Sequence, residues 1–160
     1  MLDDLSMPHF AGSDGIAARQ RWLGILSRAS FTAIETLMRN APALSDHVVL
    51  RGPETGMAML RGRIGGGGAA FNLGEMTMSR CSIRDAGGWI GHGYASGRDA
   101  SKVELIARLD AALQNPATHD VWHRSVVATL QAEQSARHAV TEAEAARTDV
   151  KFFTLATMRT

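Results

Sequence analysis

Residues 73–96 read LGEMTMSRCSIR-DAGG-WIGHGYAS, and the fold is decided here. From 77 onward polar and apolar side chains alternate. Thr77, Ser79, Cys81 and Ile83 share one face, and Met78, Arg80, Ser82 and Arg84 share the other. A period of two is the signature of a β-strand. Asp85-Ala86-Gly87-Gly88 has the composition of a tight turn, and 89–96 reads as the next strand, with His92 on the face of Ile90 and Tyr94. Strands joined by so short a turn pair antiparallel. Upstream, 47–51 and 57–64 read as two more strands, split by a turn at Gly52-Pro53, and Gly65 to Gly68 follow before the strand that starts near 73.

Helical spacing flanks this β region. Trp22, Ile25, Leu26 and Ala29 make one apolar face of a first helix, and Ile34, Leu37 and Met38 mark a second that stops before Pro42. Thr32 and Glu35 have the spacing of a capping box, as do Ser101 and Glu104 ahead of Val103, Ile106, Leu109 and Leu113. A last helix is expected from about 119–122, with Trp122, Val126, Val127 and Leu130 to bury. The predicted fold is α+β: an antiparallel four-stranded meander flanked by N-terminal and C-terminal helical pairs. A single domain over 13–160 is expected behind a loose leader, 1–12.

Beyond Leu130 the apolar pattern fails. Between 131 and 149 Val140 is the only large aliphatic side chain, although helix propensity stays high. The apolar run Val150-Lys151-Phe152-Phe153-Thr154-Leu155 then follows. A polar arm with an apolar tail suits a chain that leans on another protein, and Val140, Phe152 and Phe153 are the docking candidates. A tail that folds back on its own sheet is the alternative.

Lys plus Arg number 17 against 16 Asp plus Glu, so no overall field favours nucleic acid or a membrane surface. All but Lys102 and Lys151 of the basic residues are Arg, the side chain suited to carboxylate and phosphate forks. Cys81 is the single cysteine, which excludes an intrachain disulfide and speaks against an iron–sulfur cluster carried by this chain alone. The N-terminus has neither the basic start nor the apolar run of a signal peptide, and a cytoplasmic location is expected.

No catalytic motif emerges. The glycine run lacks the Gly-Lys-Ser/Thr of a phosphate loop. His119 and His123 have i, i+4 spacing but no evident third ligand, so no metal site is expected. Glu54 and Glu75 fit turn roles. The arginines suggest more: Arg61 and Arg63 alternate on one predicted strand, Arg80 and Arg84 on the next, and Arg98 follows the last. Together with His92, Arg63, Arg80 and Arg98 are candidates to contact a phosphate-rich ligand or a carboxylate-rich partner, with a solvated sheet face as the plain alternative.

Several short runs share one resemblance. They are Arg19-Gln20-Arg21-Trp22, Pro53-Glu54-Thr55-Gly56, Arg63 with the glycines after it, Gly74-Glu75, Arg80-Cys81, Gly97-Arg98-Asp99, Asp110-Ala111-Ala112-Leu113 and Phe152-Phe153-Thr154. In order and spacing the chain resembles the PhnG family over nearly its whole length after residue 15. The resemblance implies a non-catalytic subunit of the bacterial carbon–phosphorus lyase system, active only inside an assembly. It implies partners of the PhnI, PhnH, PhnJ and PhnL types, with two copies of each core subunit. The nucleosidase-like PhnI, with the other subunits, supports displacement of adenine from MgATP by a phosphonate, and PhnJ carries the radical S-adenosylmethionine chemistry. No cofactor is implied for this chain. MgATP is a substrate of the assembled complex.

Overall fold

The computed structural model describes residues 13–63 and 68–147. The leader 1–12, the glycines at 65–67, Phe152, Phe153 and the rest of the expected tail lie outside the described residues. The order is α1 (Ser13–Arg28), α2 (Phe31–Met38), β1 (His47–Gly62), β2 (Phe71–Asp85), β3 (Ile90–Ser96), α3 (Ala100–Gln114), α4 (Pro116–Trp122), a π-helical turn (His123–Val127) and α5 (Ala128–Arg147). The class is α+β, with helices before and after one antiparallel sheet.

That sheet has three strands in the order β1-β2-β3, not four. The expected break at Gly52-Pro53 is absorbed inside β1. Proline has no N–H for a ladder, which confines it to edges and bulges. Pro53 has both: β1 is the edge strand, and its register slips between Val49 and Arg51 and again between Arg51 and Glu54. The turn at 85–88 forms as read. Asp85 Oδ1 accepts from the Trp89 N–H at 2.8 Å, and Gly88 takes φ +87°.

Helix ends correct two other expectations. Ser30, not Thr32, caps α2, accepting from the Ala33 N–H at 3.1 Å. Asp99, not Ser101, caps α3, accepting from the Lys102 N–H at 2.9 Å. In both cases an earlier oxygen already satisfies an orphan N–H. The last helix begins at Pro116, ahead of the expected start, because proline fits the first helical position while Asn115 caps it.

The core lies on one side of the sheet. Ser79, Cys81, Ile83 and Ala95 face it and are buried, and α3 fills it with Val103, Ile106, Leu109 and Leu113. Trp22, Leu26, Ile34, Trp122 and Leu130 close it from the helical side. Contact between β3 and α3 is unusually close. A Cβ on Gly91 would stand 1.9 Å from the Ala107 carbonyl oxygen, and one on Gly93 1.9 Å from that of Val103. Only glycine lets the two backbones meet this way.

At that contact sits Asp110, fully buried on α3. It accepts from Arg19 Nη2 at 2.6 Å and Nε at 3.2 Å, from Trp22 Nε1 at 2.9 Å, from the His92 backbone N–H at 2.8 Å and from Gln114 Nε2 at 3.3 Å. Gln114 and Arg19 also donate to the Ile90 carbonyl. Side chains of α1 and α3 thus satisfy the Ile90 carbonyl and the His92 N–H on the free edge of β3.

Two sets of substitutions check this. Gly91→Ala and Gly93→Ala should each cost about 3 kcal/mol or more, the upper end of overpacking, because the clash is with backbone. Gly52→Ala, whose new Cβ meets nothing within 4 Å, serves as the near-neutral control. Asp110→Ala should cost about 3–5 kcal/mol by removing the carboxylate partner of Arg19 and the acceptor of the His92 N–H. Urea midpoints measured at constant slope test both.

Candidate functional site

The sheet face away from α3 is open, and pairing places its side chains on a grid. Across β1, β2 and β3 the rows are Val48-Arg84-Ile90, Arg51-Ser82-His92 and Glu54-Arg80-Tyr94, with Met78 opposite Ser96 beyond them. Among the described residues no helix covers this face. Val48, Arg80, Arg84, Ile90 and Tyr94 are all exposed.

Charge on the grid is partly internally balanced. Glu54 pairs with Arg51 and receives a hydrogen bond from Arg80 Nε at 2.5 Å. The bond from Arg80, reinforced by the Arg51 charge, holds the Glu54 carboxyl below the usual range for glutamate. Three arginines against one carboxylate still leave the face positive. Beside them, the Ser82 hydroxyl and His92 Nδ1 lie 2.8 Å apart, a hydroxyl–imidazole pair on an otherwise flat surface. Guanidinium forks around such a pair suit a phosphate, a phosphonate or a partner's carboxylates.

The sequence-predicted residues are distributed unequally. Arg80 and His92 share the grid. Arg98 is exposed in the corner between β3 and α3, after Gly97 at φ +91°. Arg63 stands just past the end of β1, about 30 Å along the strand from Glu54 by strand rise. Glu54, read as a turn residue, instead bridges two arginines, because residues 52–53 stay in the strand. Ser82 was not singled out, and its pairing with His92 depends on the β2–β3 register, which sequence alone does not set. Val140 is exposed on α5.

Beyond Met78, where β3 ends, β1 and β2 pair only with each other. This two-stranded ribbon continues for about 20 Å past Thr55. It is apolar, and no described residue covers it: Met57 is 74% exposed, Leu73 59%, and Met59, Leu60 and Phe71 are exposed as well. An isolated hairpin of this kind is marginal in water, and an exposed apolar edge is normally covered by something.

Histidines away from the sheet serve packing. His119 Nδ1 donates to the Leu113 carbonyl at 2.7 Å, capping the end of α3, and its ring stacks on His123 with centroids 5.6 Å apart. Cys81 is buried under α3, and its thiol pKa is raised by that burial and further by the negative charge of Glu104. In native protein at pH 8 the thiol should therefore react with a disulfide reagent far more slowly than in urea. Equal rates would contradict the buried placement.

Residues 17–158 match the family model described as phosphonate metabolism protein PhnG. A curated relative from Rhizobium meliloti (strain 1021) is 38% identical over 144 residues, spanning 88% of this chain and 90% of its own length. It is described as the PhnG subunit of alpha-D-ribose 1-methylphosphonate 5-triphosphate synthase.

Proposed function

We propose, from the fact that this chain belongs to the PhnG family of phosphonate metabolism proteins, that it is a non-catalytic assembly subunit of a ribose 1-methylphosphonate 5-triphosphate synthase. In that reaction a phosphonate oxygen displaces adenine from C1 of the ribose of MgATP, and the triphosphate stays on the 5′ carbon. The reading gives the chain partners of the PhnI, PhnH, PhnJ and PhnL types, two copies in the core complex, and a cytoplasmic setting. Among the described residues no helix is long and apolar enough to cross a membrane.

The uncovered ribbon carries this reading. Met57, Met59, Leu60, Phe71 and Leu73 stand in water on strands that pair only with each other. Their natural environment is another protein surface, and burying each such side chain contributes about 1.5–3 kcal/mol. The pattern fits a permanent subunit better than a protein that works alone.

Met57→Asp with Leu73→Asp tests the assignment. Far-UV circular dichroism and thermal midpoint should stay near wild type, because neither side chain enters the core. Co-elution with a PhnI-type subunit at micromolar concentration should weaken a hundredfold or more. Normal co-elution of this variant would remove the ribbon from the interface.

A second reading is favoured by the Ser82–His92 pair beside Arg80: the open sheet face helps position the phosphonate or triphosphate at an active site shared with another subunit. In the reconstituted synthase, His92→Ala or Arg98→Ala would then lower turnover at unchanged assembly. Under the assembly reading turnover stays the same. A stand-alone nucleotide-binding role is a weaker fit, and calorimetry of the isolated chain with MgATP should give no specific heat.

A further inference from the structure

A groove of about 1210 Å³ runs between α1 and the continuous helix formed by α4, the π turn and α5. Its floor is apolar and in part small-sided: Ala17, Ala18 and Gly24 with Trp22, Ile25 and Val127. Its walls carry Arg21, Arg28 and Arg137 together with His119, His123 and His138, and no Asp or Glu lines it among the described residues. In a chain with 17 basic and 16 acidic residues, that segregation sets this groove apart.

Two of these side chains are oriented by neighbours. Arg28 Nε donates to Gln134 Oε1 at 3.2 Å, and Gln134 in turn donates to the Ile25 carbonyl at 2.9 Å. His138 pairs with Glu142 at 3.1 Å, which leaves the three arginines as the principal charges. Helical rise separates Arg21 from Arg28 by about 10 Å and spreads the α4–α5 wall, from 119 to 138, over about 28 Å. The π turn lies within that wall, with the Ala128 N–H bonded to the His123 carbonyl, and both His123 and Val127 line the groove. Such turns recur at functional sites.

The groove is longer than a small anion needs and larger than the usual 300–1,000 Å³ of an enclosing ligand pocket. An apolar floor between cationic walls is the shape that receives an amphipathic helix. We propose that this groove docks an acidic amphipathic helix from another subunit of the synthase. The apolar face of that helix lies on the partly exposed Ala17, Ala18 and Gly24, above the buried Trp22, Ile25 and Val127, and its carboxylates meet Arg21, Arg28 and Arg137. This inference rests on the assembly reading, but it concerns the helical side of the molecule and not the ribbon.

Gly24 offers a plug that leaves charge unchanged. The nearest atoms to a Cβ there belong to the flexible end of Arg28, at 3.4 Å or more, so a leucine fills the groove without meeting backbone. The test uses the full chain co-expressed with the other synthase subunits, with a photo-crosslinking residue at Gln131 on the groove wall. The expected product joins Gln131 to a peptide of another subunit that carries several Asp or Glu at helical spacing. Gly24→Leu, and separately Arg21→Glu with Arg137→Glu, should abolish that product and weaken co-purification about tenfold or more. If both variants assemble like wild type and Gln131 links only within this chain, the groove proposal is wrong and the ribbon interface stands. If the wild-type chain does not assemble at all, the assembly reading falls and takes this proposal with it. If millimolar inorganic triphosphate displaces the crosslink while assembly persists, the groove takes a small polyanion and the helix proposal is overturned.

Discussion

The structure turns on one buried carboxylate. Asp110 gathers Arg19 and Trp22 from α1, the backbone of β3 and Gln114 of its own helix at a single point. A lone ionised group in such a place would be prohibitive, but two charge-assisted bonds from one edge of the Arg19 guanidinium and bonds from three further donors offset its desolvation. Gly91 and Gly93 make the arrangement possible by letting α3 come within reach of the strand edge. Without that approach the Asp110 oxygen could not stand 2.8 Å from the His92 N–H, and β3 would present open hydrogen-bonding groups.

Sealing β3 in this way settles what the rest of the sheet is for. Side chains occupy the Ile90 carbonyl and the His92 N–H on one edge, and among the described residues the sheet is three strands wide with α3 on a single face. The core is complete without the other face and without the outer halves of β1 and β2. Those parts of the chain contribute little to holding the monomer together, yet they carry its most distinctive side chains: arginines around a Ser–His pair on the face, methionines and leucines on the ribbon. The same separation holds at the C-terminus. Among the described residues Leu130 is the last that is buried, and α5 continues to Arg147 with every side chain after Gln134 exposed.

Much of this was legible in the sequence because it obeys a period. The alternation from Thr77 to Arg84 placed Cys81 and Ile83 inside and Arg80 outside, and the helical spacing of Trp22, Ile25 and Leu26 gave the buried face of α1. What escaped was non-local. Pro53 reads as a break unless β1 is known to be an edge strand, which depends on strand order. Asp110 did leave a signal: it sits four residues after Ile106 and three before Leu113, where helical spacing calls for a hydrophobic side chain. A charge in that position announces a buried partner, but nothing local says that the partner is Arg19, 91 residues away. The alternation on β1 and β2 also hid the ribbon, since a strand pattern does not reveal whether a third layer will cover it.

The ribbon and the arginine face answer different physical needs of an assembly. The ribbon's apolar side chains are exposed among the described residues, so on the assembly reading covering them yields the larger share of affinity. The arginine face already satisfies itself in part through Glu54, and a partner's anion there must compete with that carboxylate. Exchanging one ion pair for another gains little energy but discriminates strongly among partners, because only a correctly placed carboxylate or phosphate can replace Glu54. Both surfaces are built on strands whose register is fixed by the buried junction at Asp110. On the assembly reading, a partner that covers these two surfaces meets strands already held in register, and little of its binding energy goes to ordering them.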